Sequence, residues 1–142
     1  MDFSLTDDQS MLADSIGRFI NAEYDFEVRQ KIAASDNGFS PEMWCTFAEL
    51  GLTAVPFAEE DGGLGGGPIE LMLIMEQLGR GLVVEPYLAN IVLAGGVLRR
   101  AASMDQRAQW LTPLIEGKPV SYTHLRAHET SDDISYAVFC LK

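Results

Sequence analysis

The sequence has 142 residues, 47% of them hydrophobic and 22% charged, which is the balance of one folded globular domain. Its formal net charge of −11 argues against binding to nucleic acids or to anionic membranes, because both attract proteins through clusters of Lys and Arg. Only two cysteines occur, so we expect no disulfide framework, no metal site and a reducing, cytoplasmic environment.

The first part of the chain predicts three helices. Thr6 to Gln9 has the pattern of a capping box, and apolar residues then recur at helical spacing on one face: Leu12, Ile16, Phe19 and Ile20. A second, short helix is expected over about Asp25 to Ala34. Ser40 and Pro41 are the cap and first residue of a third helix, which is expected to stop at Gly51. Its inward-facing residues are predicted to be Met43, Trp44, Phe47 and Leu50.

Three more helices are predicted after a connector that reads as extended, Thr53 to Pro56, and a glycine-rich loop, Asp61 to Gly67. Helix four, from Pro68 to about Leu78, is apolar almost all round and is expected to be buried. Helix five spans about Pro86 to Arg100. Helix six opens with a capping box at Ser103 and runs towards Gly117, with a kink or an end expected at Pro113. No segment alternates with period two, so the predicted fold class is all-α, a bundle of about six helices.

The glycine-rich loop is the motif that most suggests a ligand, since such loops can cradle phosphate. It does not fit the dinucleotide fingerprint, because Pro68 stands where the third glycine belongs, and no Walker lysine is present. The carboxylates of Glu59, Glu60 and Asp61 beside the loop would repel phosphate. A tight turn between helices is therefore the favoured interpretation.

Two residues invite a catalytic interpretation that their surroundings weaken. Glu76 lies in the most apolar helix, where a buried carboxylate would have a raised pKa, but Arg80 four residues later favours an ion pair. Cys45 is predicted to be a small core residue rather than a nucleophile, because no histidine before residue 120 could activate it. The residues by themselves therefore assign no catalytic group and no metal ligand.

Helix five carries two unusual features. Asn90 lies within an apolar run, where a buried amide needs partners, and either a structural hydrogen bond or a pocket-lining role would account for it. Gly95 and Gly96 are unfavourable inside a helix, which indicates close packing against another backbone or a ligand.

The segment from Val120 to Lys142 reads unlike the rest and contains both histidines. Residues 120–130 resemble one reading frame of a transposon-based sequencing adapter, and residues 134–142 resemble the next fixed block of that adapter. We therefore expect residues 1–119 to form the native domain and residues 120–142 to be an artefactual tail, with the gene continuing past Pro119. The alternative is a true C-terminal hairpin.

Several segments resemble, in order, the N-terminal helical domain of the acyl-CoA dehydrogenases. They are Met1–Leu5 with Gln9, Leu50–Pro56, Glu59–Gly65, Met75–Arg80 and Leu114–Gly117. The resemblance covers essentially all of residues 1–119. Phe57 and Ala58, interposed after Pro56, depart from the commonest form of the family's loop. Together with Gly65–Pro68 and Gly81–Leu88, this insertion looks closest to the small subunit of pimeloyl-CoA dehydrogenase and related bacterial enzymes.

The resemblance implies a parent enzyme that uses FAD to dehydrogenate an acyl-CoA thioester between its α and β carbons. In this family the flavin and the catalytic base are held mainly by later domains, so the fragment is expected to be inactive and not to bind FAD stably. It is expected to supply one wall of the acyl-chain channel, lined by Tyr87, Asn90 and Ile91. The partners implied are an acyl-CoA, an electron-transfer acceptor and further subunits. The alternative is a non-catalytic structural subunit or a helical interaction module.

Overall fold

The computed structural model describes residues 4–118, and within them all regular structure is helical. The six α-helices are α1 (Asp7–Glu23), α2 (Phe26–Ala33), α3 (Pro41–Glu49), α4 (Pro68–Arg80), α5 (Gly95–Ala101) and α6 (Met104–Ile115). A short 3-10 helix, Glu59–Asp61, precedes the glycine-rich loop, and a π-helix, Leu88–Ala94, leads directly into α5. The predicted all-α class with six helices is confirmed. The predicted tail lies outside the described residues.

The helix starts are set by local hydrogen bonds that the sequence predicts. The Thr6 hydroxyl accepts from the Gln9 backbone N–H at 3.2 Å, and the Gln9 side chain accepts from the Thr6 N–H at 3.0 Å. Ser103 and Gln106 form the same reciprocal pair at the start of α6. Each box satisfies N–H groups that the first helical turn leaves without partners, so these boundaries depend on a few neighbouring residues only.

The core is built around α1, which packs against α4. Ile16 and Ile20 of α1 are buried, as the helical spacing predicts, and they belong to one continuous apolar cluster. Trp44 and Phe47 of α3 enter the same cluster, and the Phe47 ring meets the Phe19 ring edge-on with centroids 6.0 Å apart. The cluster therefore joins the first half of the bundle to the second.

The connector before the glycine-rich loop is a series of turns, so the prediction of an extended segment is wrong. Gly51 adopts a positive φ of 76°, as expected for the end of α3, and its carbonyl accepts from the N–H groups of both Ala54 and Val55. Every residue from Leu52 to Phe57 is buried. We name these six residues the buried connector. The residue types of this segment favour an extended backbone, but its packing against other parts of the protein favours turns.

Carbonyls of the buried connector that its own turns leave free are satisfied from distant helices. The Tyr87 hydroxyl donates to the Leu52 carbonyl at 2.8 Å, and an Arg99 guanidinium nitrogen donates to the Pro56 carbonyl at 2.8 Å. The Thr53 hydroxyl donates in turn to the carbonyl of Ile115, the last residue of α6, at 2.6 Å. Buried backbone without regular structure needs such partners, so the connector fixes the positions of the π-helix, α5 and α6.

Two predictions of burial and one prediction of a helix end are wrong. Helix α4 is buried on one side only, because Ile69 and Met72 keep 47% and 55% of their surface exposed. Leu50 is 52% exposed, since it is the C-cap residue of α3 and no longer follows the helical face. Pro113 lies inside α6, which continues to Ile115, so an end at Pro113 is wrong and a kink there stays a prediction. Apolar composition thus overestimated burial in α4 and at Leu50.

The two adjacent glycines of α5 provide a matched test of packing. A Cβ at Gly95 would lie 2.9 Å from Phe57 Cε1 and 3.2 Å from Leu114 Cδ2, whereas a Cβ at Gly96 would meet nothing within 4 Å. We expect Gly95→Ala to lower the free energy of unfolding by about 1–3 kcal/mol through overpacking. Gly96→Ala should raise it by about 0.5–1 kcal/mol through helix propensity. Urea unfolding measures both, and equal effects at the two positions would contradict the packing described.

Candidate functional site

The glycine-rich loop uses its N–H groups inside the protein. Consecutive amides of the loop donate to carbonyls of the buried connector: Leu64 to Ala54, Gly65 to Phe57 and Gly66 to Val55, at 3.0, 2.7 and 2.8 Å. The next amide, at Gly67, donates to the Glu70 carboxylate at 2.7 Å. A phosphate cradle needs free N–H groups pointing at the ligand. The loop is therefore a structural clamp on the connector, in line with the tight-turn interpretation.

The two residues considered for catalysis on sequence grounds lie on the surface. Glu76 is paired with Arg80 at 2.7 Å, and both side chains are largely exposed. The ion-pair interpretation holds, and the expected burial of Glu76 is wrong because it lies on the outer side of α4. Cys45 is exposed, so its assignment to the core is also wrong.

The residues predicted to line a channel are all on or beside the π-helix. Tyr87, Asn90 and Ile91 have exposed fractions of 1%, 0% and 1%. Burial raises the pKa of the Tyr87 phenol well above its ordinary value of 10.0, so the hydroxyl stays protonated and remains the donor to Leu52. The structure thus brings the three side chains together on the inner side of one segment.

The geometry of this segment is itself unusual. A π-helix is a rare conformation that occurs mostly as single turns and frequently at functional sites, whereas here seven residues adopt it. The sequence predicts an ordinary helix from Pro86, and no propensity scale distinguishes a π-helix from an α-helix. The presence of two glycines where the π-helix passes into α5 was the only local signal of an irregularity.

The outer side of the same segment is apolar as well. Leu88, Leu93 and Val97 are 52%, 57% and 53% exposed, and their spacing follows the wider turn of the π-helix into α5. We name these three residues the outer apolar stripe. A helix that is apolar on both sides is typical of a segment buried within a larger protein.

Sequence analysis missed a buried acid at the entrance to the π-helix. The Glu85 side chain is only 6% exposed; its Oε1 accepts from the Ser40 backbone N–H over a long 3.4 Å, and its buried Oε2 has no hydrogen-bond partner. Burial raises the pKa of this carboxyl above its ordinary value of 4.5, and the nearby Tyr24 hydroxyl and backbone N–H groups offset the rise only in part. The only feature of the sequence that could have indicated this burial is that Glu85 is a single acidic residue between Val84 and Pro86.

Ion pairing fixes the acidic edge of the glycine-rich loop to α6. Arg107 donates to the Asp61 carboxylate at 2.9 Å and lies 3.6 Å from Glu60, so one guanidinium faces two carboxylates and the cluster stays net negative. Among residues 4–118, no group of His, Cys, Asp and Glu side chains is arranged to hold a metal ion. None of the helices in this range combines the length and the apolar character needed to cross a membrane.

Comparison with known proteins supports one family. A family profile described as the N-terminal domain of acyl-CoA dehydrogenase matches residues 6–118. The Mycobacterium tuberculosis protein named acyl-CoA dehydrogenase FadE27 is 27% identical over 117 residues, covering 82% of this chain and 31% of that protein. The acryloyl-CoA reductase (NADH) of Anaerotignum propionicum is 29% identical over 118 residues, covering 82% of this chain and 29% of the relative.

A solved structure shows the same architecture. A chain in the crystal structure of the ChsE4-ChsE5 complex from Mycobacterium tuberculosis superposes with a TM-score of 0.76 at 27% identity, over 83% of this chain and 32% of that one. This chain therefore spans about a third of the length of the proteins that it matches.

The Tyr87 hydroxyl provides a direct test of how the π-helix is held. Tyr87→Phe keeps the buried ring but removes the hydrogen bond to Leu52, and we expect it to lower the free energy of unfolding by about 0.5–1.5 kcal/mol. Leu88→Ala, at the exposed neighbouring position, is the control and should change stability by about 0.5 kcal/mol or less. An unchanged urea midpoint for Tyr87→Phe would show that this hydrogen bond does not hold the connector.

Proposed function

The chain belongs to the acyl-CoA dehydrogenase family, and we propose that it is the N-terminal part of a longer, FAD-dependent enzyme that dehydrogenates an acyl-CoA thioester. The support for a longer parent is length, because this chain matches only 31% of FadE27. On this proposal residues 1–119 are the native domain and residues 120–142 are not part of it. The parent is proposed to act in the cytoplasm.

The described residues do not fit a flavin site of their own. The amides of the glycine-rich loop, from Gly62 to Gly67, are all bonded within the protein and cannot receive a diphosphate. The charged cluster beside the loop has two carboxylates, Glu60 and Asp61, for one guanidinium, Arg107, so it would repel a diphosphate. We therefore propose that the parts of the parent beyond residue 119 hold FAD and supply the catalytic base, and that the fragment alone is inactive.

The contribution of this domain is proposed to be one wall of the acyl-chain channel. The observation that carries this proposal is the π-helix, a conformation associated with functional sites, which bears Tyr87, Asn90 and Ile91 on its buried side. These side chains are 1%, 0% and 1% exposed and pack within this domain, so on this proposal they support the wall from behind rather than present their own surface to the chain. The remaining two-thirds of the parent would complete the channel beside them.

The outer apolar stripe is proposed to be covered by the rest of the parent. Each Å² of apolar surface removed from water contributes about 25 cal/mol, so three half-exposed aliphatic side chains on one face favour a covering partner. Ile69 and Met72 of α4 are further apolar side chains that this domain leaves exposed. Proteins that work as monomers seldom expose such contiguous patches.

The names of the relatives differ in the direction of the redox reaction. One relative is named as a reductase of an acyl-CoA and another as a dehydrogenase, so the thioester is common to both names. Dehydrogenation is proposed because the matching family profile carries that activity in its description. An electron-transfer protein would then accept the electrons.

A second candidate is a non-catalytic subunit of a heteromeric enzyme. The solved relative is part of the ChsE4-ChsE5 complex, which favours assembly with another chain. In that case the parent would contribute structure, and its partner would contribute the chemistry.

The complete gene product separates these two candidates. We expect it to purify with bound FAD, absorbing near the flavin's visible maximum, and to lose that absorbance when an acyl-CoA is added without oxygen. A colourless protein that stays colourless after FAD is supplied would contradict the enzyme and favour the structural subunit.

The chain of residues 1–142 tests the fragment part of the proposal. We expect no stoichiometric FAD after dialysis, and we expect self-association with strong binding of a hydrophobic dye. Leu93→Gln combined with Val97→Gln should reduce dye binding and association. Met11→Gln, at a 67% exposed position on α1, is the matched control and should leave both unchanged. Tight FAD binding, or equal effects of the two substitutions, would contradict the proposal.

A further inference from the structure

Glu85 lies where three segments of the chain meet. Its carboxyl faces the Ser40 N–H at the start of α3 and the Tyr24 hydroxyl at the end of α1, and it directly precedes Pro86 and the π-helix. With 6% of its surface exposed, it is the most buried carboxylate among the described residues. No role in the proposed reaction is assigned to it.

We propose that Glu85 is a proton-operated latch: the neutral carboxyl holds the end of α1, the start of α3 and the π-helix together, and the ionised carboxyl loosens them. The latch does not depend on the proposed function, because it concerns the stability of the domain and not its substrate. Either proposal can fail while the other stands.

The charge of an ionised Glu85 would be poorly compensated. Among the described residues, no Lys, Arg or His nitrogen forms a salt bridge with it. The basic side chain facing this junction is Arg29 of α2, and its Nε donates to the Leu82 carbonyl at 2.9 Å. A buried carboxylate without a paired cation is costly, because it loses hydration that nothing replaces.

The other groups at the junction favour the charged form only weakly. The Tyr24 hydroxyl accepts from the Val84 N–H at 3.0 Å, and burial raises its own pKa, so it stays protonated. From α3, the Ser40 N–H is 3.4 Å away, near the limit of a hydrogen bond, while the Ser40 hydroxyl donates to the Glu42 carboxylate. From the π-helix side, the Tyr87 hydroxyl is committed to Leu52.

The sign of the pH effect follows from the raised pKa. At pH values below the ordinary pKa of 4.5, Glu85 is neutral in both the folded and the unfolded chain, so its ionisation does not affect the free energy of unfolding. As the pH rises above that value the unfolded chain releases its proton first, so stability falls until the pH has passed the raised pKa of the folded state. Glu70 and Glu42 act in the opposite direction, since hydrogen bonds lower the pKa of each.

The contributions of Glu85 and of the other two acids to the pH dependence of stability have opposite signs. A variant of Glu85 compared with the wild-type chain therefore separates the contribution of Glu85 from the others. Glu85→Gln stays neutral at every pH and keeps an acceptor for the Ser40 N–H. We expect the ratio of its folding constant to that of the wild type to be higher at about pH 8 than at about pH 4.5, with a slope of at most about tenfold per pH unit. Tryptophan fluorescence in urea at low protein concentration measures both constants. Glu49→Gln, an exposed acid on α3, should give a flat ratio.

A second variant decides the matter if Glu85→Gln does not fold. Tyr24→Phe removes a hydroxyl that lowers the pKa of Glu85, so the ionised carboxyl becomes less favourable still. We expect its loss of stability to be larger at about pH 8 than at about pH 4.5. A loss that is the same at both pH values would show a purely structural role for the hydroxyl and would overturn the latch, as would a flat ratio for Glu85→Gln.

Amide hydrogen exchange locates the loosening. At one pH the intrinsic exchange rates of two variants are equal, so differences report structure. At about pH 8 the amides of Leu88–Ala94 should exchange more slowly in Glu85→Gln than in the wild type, whereas those of Met104–Ile115 should differ less. Equal protection of the π-helix in the two proteins would contradict the latch.

Discussion

The fold depends on satisfying the backbone of the buried connector, the six residues from Leu52 to Phe57. These residues belong to no helix, yet all are buried, so each polar backbone group needs a partner inside the protein. The partners come from the glycine-rich loop, from Tyr87, and from Arg99 of α5. Loss of the Tyr87 or the Arg99 donor would leave the Leu52 or the Pro56 carbonyl without the partner described, at a cost of about 1–3 kcal/mol.

This constraint explains features that otherwise look like ligand-binding signals. The glycine-rich loop must approach the connector closely, and its glycines allow that approach while the amides close the hydrogen bonds. Gly95 has no side chain because the Phe57 ring occupies that space. The same arrangement holds the π-helix against the core, with one apolar side inward and the outer apolar stripe available for the rest of a longer protein.

Local signals in the sequence predicted the helices well, and distant contacts explain what they did not predict. The capping boxes at Thr6 and Ser103 involve residues three apart, so sequence alone was sufficient for them. The turns of the connector and the π-helix depend on partners about 35 to 60 residues away, which no window of sequence contains. Of the candidate site, Tyr87, Asn90 and Ile91 were predicted from family resemblance, whereas Glu85 required knowledge of its burial.

The most direct test of the clamp is amide hydrogen exchange at Leu64, Gly65 and Gly66 in the chain of residues 1–142. If these amides hold the buried connector, they exchange as slowly as the buried amides of α4, although they lie in a loop rich in glycine. Exchange at the rate of an unprotected peptide would contradict the clamp. It would show that the N–H groups of the loop are open to solvent, where an anion could bind them.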